Sequence, residues 1–212
     1  MTIAERTTAL RARLPPGVTL VAVSKTQPAE SIREAYAAGQ RDFGENYAQE
    51  WKAKADLLAD LPDLCWHFVG SLQTNKVRQL AGRVAYVHAV DREELARELS
   101  RRFQPTGRVV RVFLEVNTGG EASKGGCAPA DAPRLAAAVS ALPAVELVGL
   151  MAIPPPGEDP RPHFRTLRGL RDALGLTQLS MGMSGDWEVA VAEGATFVRI
   201  GTALFGERAP RR

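Results

Sequence analysis

The sequence predicts an α/β protein with a single domain over residues 1–212, a (β/α)8 TIM barrel with an additional N-terminal helix. Short apolar, β-rich runs alternate with helix-length segments along the whole chain, which is the pattern of parallel strands joined by helices. Eight such pairs within 212 residues fit one barrel. An open doubly wound sheet is the alternative, and it is weakened because no G-x-G-x-x-G sequence follows an early strand.

The predicted strands are short and rich in β-branched and apolar residues. The first, over 18–24, is an unbroken apolar run, which is typical of a strand buried on both faces. The sequence predicts the other strands near 41–43, 65–69, 84–88, 109–116, 145–152, 178–181 and 196–200. Helices are predicted near 3–13, 29–38, 45–60, 75–81, 92–103, 130–141, 162–174 and 185–192.

Several helix boundaries carry signals of their own. Pro28 suits a first helical turn, where its missing N–H is no loss, and Gly39 suits the left-handed position that ends a helix. Ser184 is predicted to cap the helix over 185–192, and Gly194 to end it. In a barrel the functional groups gather where the strands end, so the residues at those positions are interpreted together.

Composition argues against several classes of protein. Apolar residues make up 45% of the chain, and no stretch approaches the roughly 20 apolar residues that span a bilayer, so we expect no membrane partner. The net charge of +3 is spread along the chain and not gathered in a stripe, which argues against a nucleic-acid partner. The chain has two cysteines, Cys65 and Cys127, and its N-terminus lacks a secretory layout. We therefore expect a cytoplasmic protein.

Lys25 follows directly after the first predicted strand. This position is where a parallel sheet opens into a cleft. A lysine that loses hydration there can attack a carbonyl as the free amine. The alternative interpretation is a solvated lysine that merely ends the strand.

The turns after strands seven and eight carry the strongest binding signal. Ser184 follows the seventh strand, and Gly201 and Thr202 follow the eighth. Backbone N–H groups at helix starts, hydroxyl side chains and glycines that permit close approach suit a phosphate dianion. Arg199 is two residues before Gly201 and is predicted to point into the barrel, where it needs a partner. Two helices that are merely capped are the alternative.

Other strand ends supply further candidates. Asn46 can bind a planar ligand, or it begins a helix together with Glu45. His67 is interpreted as a core or cleft histidine and Met151 as an apolar wall, although core packing is the commoner role for such a methionine. The segment over 119–126 lacks the residue order of a P-loop, and we expect it to form a mobile loop over the barrel mouth.

These strand ends together provide one amine on the first strand and one phosphate site after the last two. A ligand that carries both a carbonyl and a phosphate satisfies this arrangement, and pyridoxal 5′-phosphate is such a ligand. We therefore predict pyridoxal 5′-phosphate as the cofactor, and no metal site.

Six motifs resemble those of the pyridoxal phosphate homeostasis protein family, the proline synthetase co-transcribed homologues. They occur in the same order as in that family and run from about Val18 to Gly206. The motifs are Ala22-Val-Ser-Lys25, Phe43-Gly-Glu-Asn46-Tyr47, Trp66-His-Phe-Val-Gly70, Gly149-Leu-Met-Ala-Ile153, Gly182-Met-Ser184 and Val198-Arg-Ile-Gly-Thr202-Ala-Leu-Phe-Gly206.

The resemblance implies a barrel like the N-terminal domain of alanine racemase, with fold-type III binding of pyridoxal 5′-phosphate as an internal aldimine. It implies a role in vitamin B6 and amino-acid homeostasis, with no firmly assigned reaction. The partners that it implies are enzymes that depend on pyridoxal 5′-phosphate and would receive it from this protein. The residue roles that it implies are Lys25 as the Schiff base, Ser184, Gly201 and Thr202 at the phosphate, Arg199 at the pyridine nitrogen, and Asn46 and Met151 at the ring.

The expected chemistry favours a carrier over an enzyme. Arginine donates and stays protonated, so Arg199 would leave the pyridine nitrogen without a proton and make the ring a poorer electron sink. Two-base racemisation also needs a second acid–base group, which alanine racemases take from another domain, and we expect no room for one before Arg212. An amino-acid racemase-like enzyme is the alternative. A Schiff-base aldolase acting on a phosphorylated sugar and a cofactor-independent interaction protein are further hypotheses.

Overall fold

The computed structural model describes residues 1–121 and 125–206. Eight parallel strands close into a barrel in chain order, with the last strand paired to the first, so the predicted TIM barrel is confirmed. The strands are β1 (Thr19–Val23), β2 (Asp42–Glu45), β3 (Cys65–Phe68), β4 (Tyr86–Val90), β5 (Val110–Glu115), β6 (Val145–Met151), β7 (Gln178–Ser180) and β8 (Phe197–Ile200).

Helices pack around the outside of the barrel and precede or follow the strands as predicted. Short 3₁₀ turns lie at Thr74–Lys76, Gln104–Thr106 and Pro129–Asp131. The α-helices of the described chain are α1 (Ile3–Arg13), α2 (Ala29–Ala37), α3 (Ala48–Leu57), α4 (Val77–Leu80), α5 (Glu93–Phe103), α6 (Ala132–Ser140), α7 (Arg161–Ala173), α8 (Trp187–Ala192) and α9 (Thr202–Phe205).

Strand β1 shows why its sequence is apolar without interruption. Leu20 and Ala22 belong to the large core between the strands and the helices. Val21 and Val23 point the other way, into a smaller cluster that fills the barrel interior. Because successive side chains of a strand alternate between its two faces, a strand with two buried faces needs apolar residues at every position.

The end of β2 differs from the prediction. The strand continues to Glu45, and the next helix begins only at Ala48, although the sequence pattern placed the helix start near residue 45. Glu45 is fully buried. Its carboxylate can remain inside because Ser24 and Lys54 donate hydrogen bonds to it, each over 2.7 Å.

The start of α8 also differs from the prediction. The cap position belongs to Asp186 and not to Ser184, and the helix begins at Trp187. The Asp186 carboxylate accepts a hydrogen bond from the Met183 amide over 2.6 Å, which fixes the turn before the helix. The Ser184 hydroxyl instead accepts a hydrogen bond from the Ala203 amide, over 3.3 Å, in the neighbouring turn after β8.

The additional N-terminal helix α1 is present as predicted. It begins with a capping box in which the Thr2 and Glu5 side chains bond each other's backbone N–H groups. Arg6 Nε donates a hydrogen bond to the Leu204 carbonyl of α9 over 2.6 Å, which joins α1 to the helix that follows β8.

Two further predictions concern the surface of the chain. None of the helices in the described ranges is long and apolar enough to cross a membrane. The loop predicted over 119–126 includes residues 122–124, which lie outside the described residues.

Candidate functional site

A cavity of about 250 Å³ lies at the carboxyl ends of the strands, where the sequence placed the candidate site. Of the seven predicted site residues, six line it: Lys25, Asn46, Ser184, Arg199, Gly201 and Thr202. Residues from the ends of β1, β2, β7 and β8 thus meet in one place, although they are far apart along the chain. The remaining walls are formed by Val23, Val69, Ile153, Met183 and Gly185.

Lys25 is half-buried at the exit of β1, and a buried ionic cluster holds the backbone on both sides of it. Lys54 Nζ donates to the Ser24 carbonyl, to Glu45 Oε1 and to Glu50 Oε1, each over 2.7 Å. Glu50 Oε1 also accepts a hydrogen bond from the Thr26 amide. We call Ser24, Glu45, Glu50 and Lys54 the β1 clamp, because they fix the residues before and after Lys25.

The backbone at Thr26 supports this interpretation of the β1 clamp. Thr26 has φ of 65°, a left-handed conformation that is unfavourable for a β-branched residue. Such strain persists only where the surroundings hold it in place, and it is frequent at ligand sites. The bond from the Thr26 amide to Glu50 is one such restraint.

The β1 clamp places a carboxylate where water does not reach. Burial raises the pKa of Glu45, and the nearby Lys54 ammonium, which also bonds the carboxylate, opposes this rise. Glu45 Oε2 is buried and has no hydrogen-bond partner among the described residues. The Glu45 carboxylate is therefore stabilised through Oε1 alone, and this stabilisation depends on Lys54.

The turns after β7 and β8 meet at the cavity, next to the end of β1. The hydrogen bond between the Ser184 hydroxyl and the Ala203 amide joins the two turns. Gly201 lies so close to β1 that an added Cβ would be 3.2 Å from the Val23 carbonyl oxygen. A glycine at this position therefore keeps the turn near the strand and leaves its backbone accessible from the cavity.

Arg199 projects from β8 into the barrel, as the alternation along the strand predicts. Its guanidinium is buried and donates to Ser180 Oγ over 2.7 Å and to the Ala152 carbonyl over 3.1 Å. Burial lowers the pKa of Arg199 to about 10, while Glu115 and Asp186 oppose this change. The group therefore remains a cation at neutral pH and presents N–H donors to the cavity.

Asn46 and Met151 occupy different environments. Asn46 lines the cavity, and its Oδ1 is buried without a hydrogen-bond partner in the described parts of the chain. An added Cβ at Gly70 would lie 2.6 Å from the Asn46 carbonyl oxygen, so the turn after β3 packs closely against this residue. Met151 is fully buried in the interior cluster below and is not among the residues that line the cavity.

Several residues of the site were not identified from the sequence. Lys54 and Glu50 are four residues apart on α3, which is the spacing of an ordinary exposed ion pair and gives no sign of burial. Val69, Ile153 and Met183 line the cavity, but apolar residues near strand ends are too common to be singled out. Only the packing of the barrel shows which of them face a ligand.

One group of side chains in the described ranges offers three potential metal ligands. Donor atoms of Asp42, Cys65 and His67 lie within 4.8 Å of one another near the amino-terminal end of β2 and β3. His67 Nε2 and Asp42 Oδ1 are 2.9 Å apart. Two ligands of a tetrahedral zinc ion would be roughly 3.3 Å apart, given bonds of about 2.0 Å. The arrangement is therefore that of a hydrogen bond.

The chain was compared with protein families and with individual proteins. Residues 1–209 match the family described as alanine racemase, N-terminal domain. The pyridoxal phosphate homeostasis protein of Pseudomonas aeruginosa is 54% identical over 202 residues, which are 92% of this chain and 87% of the relative.

Solved structures agree with this comparison. PipY of Synechococcus elongatus, whose structure was solved with PLP bound, is 45% identical with a TM-score of 0.89 over 97% of this chain and 100% of PipY. Alanine racemase of Corynebacterium glutamicum is 19% identical with a TM-score of 0.76 over 97% of this chain and 61% of the racemase, and it shows the shared fold. The chain therefore belongs to the pyridoxal phosphate homeostasis protein family, whose barrel is that of the alanine racemase N-terminal domain.

Proposed function

We propose that this protein binds pyridoxal 5′-phosphate in the cavity at the carboxyl ends of its strands and acts in the intracellular homeostasis of that cofactor, and so of vitamin B6 and amino acids. The observation that supports this most directly is the meeting of Lys25, Arg199 and the joined turns at Ser184 and Thr202 around one cavity. PipY, a structural relative at 45% identity, was solved with PLP bound.

The donor set fits this cofactor. The cavity offers an amine for an aldehyde, a buried cation for a ring nitrogen, and hydroxyls with an accessible glycine backbone for a phosphate dianion. The buried Oδ1 of Asn46, which has no partner among the described side chains, is free to accept a hydrogen bond from a ligand. In this proposal Ser184, Gly201 and Thr202 hold the phosphate, and Asn46 lies beside the ring.

The family resemblance implies that Met151 lies at the ring, and in the structure Met151 is not among the residues that line the cavity. It is buried below the cavity, so it supports the floor on which the ring rests, and Ile153 and Met183 offer the exposed apolar surface. Contact between Met151 and the ring stays a prediction.

Lys25 is the residue that makes the attachment covalent. When bound, the cofactor would supply an aldehyde carbon, and the Lys25 amine would hold it by condensation with loss of one water. The β1 clamp fixes Ser24 and Thr26, so the amine begins from a defined backbone position. This arrangement lowers the entropy that is lost when the covalent bond forms.

Arg199 supports a carrier over an enzyme. A guanidinium that stays protonated cannot accept a proton, so Arg199 would donate a hydrogen bond to the ring nitrogen of the cofactor and leave that nitrogen unprotonated. A neutral ring withdraws electrons weakly, which disfavours chemistry through carbanions. We therefore place the protein as a cytoplasmic store from which enzymes that need the cofactor receive it. Cys65 and Cys127 are both free thiols, which suits a reducing compartment.

The test is the visible spectrum of the purified protein with pyridoxal 5′-phosphate, followed by borohydride reduction. We expect the wild type to show a Schiff-base band and to retain the label after denaturation, and Lys25→Ala to lose both. Lys52→Ala is the matched control, because Lys52 is an exposed lysine on α3. A wild type without the band contradicts the proposal.

The same experiment separates the alternatives. Trapping that occurs only in the presence of a phosphorylated sugar would identify an aldolase. A colourless protein whose Lys25→Ala variant keeps full function would be a cofactor-independent interaction protein. Rapid exchange of the α-hydrogen of an amino acid in deuterated water would identify a racemase.

A further inference from the structure

The barrel interior contains a continuous chain of hydrogen bonds that ends at the cavity. Asp42 Oδ1 and His67 Nε2 are 2.9 Å apart, and His67 Nδ1 and His88 Nε2 are also 2.9 Å apart. His88 Nδ1 lies 2.8 Å from Ser180 Oγ, which accepts the bond from Arg199 over 2.7 Å. We call these five residues the interior chain. They come from β2, β3, β4, β7 and β8.

The direction of every bond in the interior chain follows from its two ends. The carboxylate of Asp42 only accepts, so His67 carries its proton on Nε2 and accepts at Nδ1. His88 must then donate from Nε2 and accept at Nδ1, and the Ser180 hydroxyl donates to it. The Ser180 oxygen is left to accept from Arg199, which only donates. The donors therefore all point from the cavity toward Asp42.

Burial keeps both imidazole rings in the neutral form that this direction requires. The pKa of His67 is lowered by burial, although Asp42 opposes the change. The pKa of His88 is lowered well below its usual value by burial, by the neighbouring His67 and by the Arg199 cation. Aromatic rings fix the two imidazoles in place. His67 stacks on Tyr86 and His88 on Phe113, each with ring centroids 4.5 Å apart.

We propose that Ser180 and His88 are positioning residues, which hold the Arg199 guanidinium at the ring nitrogen of the bound cofactor through the interior chain anchored at Asp42. This inference rests on the proposed function for the cofactor itself. A buried arginine has a long side chain and several rotamers, and Arg199 has two acceptors here, Ser180 Oγ and the Ala152 carbonyl. Loss of the first leaves the guanidinium held by one backbone oxygen.

The proposal assigns a task to residues that do not line the cavity. Ser180 and His88 are fully buried, and Asp42 is the first residue of β2, at the end of the strand away from the cavity. A buried polar chain of this length is costly unless every member is satisfied. Apolar side chains would pack the barrel interior at a lower cost in free energy. An interior chain that ends at a cation facing the cavity therefore points to a role for Arg199.

The first test examines the interior chain without any cofactor. ¹⁵N NMR of the cofactor-free wild type should show both His67 and His88 as single neutral tautomers protonated at Nε2. In Asp42→Ala the acceptor that sets the direction is removed, and we expect the two tautomers of His67 to average, while Asp42→Asn, which keeps an acceptor oxygen, restores the wild-type shifts. Protonation at Nδ1 in the wild type, or unchanged shifts in Asp42→Ala, would overturn the proposal.

The second test examines the cofactor. Ser180→Ala should weaken retention of pyridoxal 5′-phosphate at least about tenfold, since a bond to a charged group is lost, and should shift the Schiff-base band. Ser180→Thr keeps the hydroxyl and should restore both. Tyr86→Phe is the control, because it keeps the ring that stacks on His67 and removes a hydroxyl that is bonded to Arg111 and not to the interior chain. It should leave the band in place.

The two tests separate this inference from the proposed function. If the wild type binds the cofactor and Ser180→Ala changes neither band nor retention, the positioning role is wrong and the proposed function stands. If the wild type binds no cofactor, the proposed function is wrong and the positioning role is rejected with it, even where the tautomers are as expected.

Discussion

Two largely buried polar networks support the cavity, and they differ in how they carry charge. The β1 clamp packs one ammonium against two carboxylates, with Lys54 2.7 Å from both Glu45 and Glu50. The interior chain keeps its charges at its two ends, Asp42 and Arg199, with neutral groups between them. One network holds the backbone of a nucleophile, and the other holds the side chain of a cation.

This difference determines what each network contributes to stability. Charges in contact within a buried cluster attract strongly, but each has lost its hydration, so removal of one leaves the others without compensation. Neutral hydrogen bonds contribute less individually and lose less when one is broken. The β1 clamp should therefore respond mainly to changes of charge, and the interior chain to changes of pH that charge its histidines.

The largest effect should come from breaking the β1 clamp at its cation. Lys54→Met leaves the buried Glu45 carboxylate and the partly exposed Glu50 carboxylate without their partner. We expect a loss of about 3–5 kcal/mol in the free energy of unfolding, measured by urea denaturation. Lys52→Met removes an exposed cation from the same helix and should change that free energy little. Equal losses in the two variants would mean that the clamp is no stronger than a surface pair.

Acidification should affect the interior chain more than the β1 clamp. Because burial lowers the pKa of His67 and His88, the unfolded state binds more protons below about pH 6.5, and the folded state loses stability as the pH falls. Each histidine contributes at most about 1.4 kcal/mol per pH unit. Urea unfolding from about pH 7.5 to about pH 5.5 measures the slope. His88→Gln should make it shallower, and an unchanged slope would assign it to other groups.

The smallest effect should come from Glu45→Gln, which removes a charge from the β1 clamp but keeps an acceptor for Ser24. We expect a change of about 1 kcal/mol or less at neutral pH. The sign of this change in the free energy of unfolding should depend on pH. Because burial raises the pKa of Glu45, its contribution to stability is largest below the pKa that Glu45 has in the unfolded chain. That contribution is lost as the pH rises through the pKa of Glu45 in the folded chain. The variant should therefore gain stability relative to the wild type as the pH rises above about 4.5, the ordinary pKa of a glutamate. A constant difference would contradict this assignment.

The barrel was predictable from the sequence because its signals are local and repeated. β-Branched and apolar residues indicate the strands, as in β1. Glycines indicate the turns, as at Gly39, whose φ of 90° ends α2. The order of the eight strands then follows from the chain order. Only the exact ends were wrong, as at Glu45, where a distant lysine decides whether a carboxylate can stay in a strand.

The candidate site was predictable only where a residue lies near the end of a strand or just after it. Lys25, Ser184 and Arg199 were found because barrels collect their functional groups at strand ends. The interior chain was not found, since it joins residues up to 92 positions apart, His88 and Ser180, and no local pattern marks them. The sequence assigned Met151 to a wall of the cavity, because spacing alone does not distinguish residues that line the cavity from residues buried beneath it.

Helix α1 is coupled to the cavity although it does not line it. α9 begins at Thr202 beside the cavity, and its Leu204 carbonyl is bonded to Arg6 of α1. A ligand that restrains Thr202 therefore restrains α1 as well. Amide hydrogen exchange over residues 3–13 should slow when the cavity fills, although no residue of that helix touches the ligand.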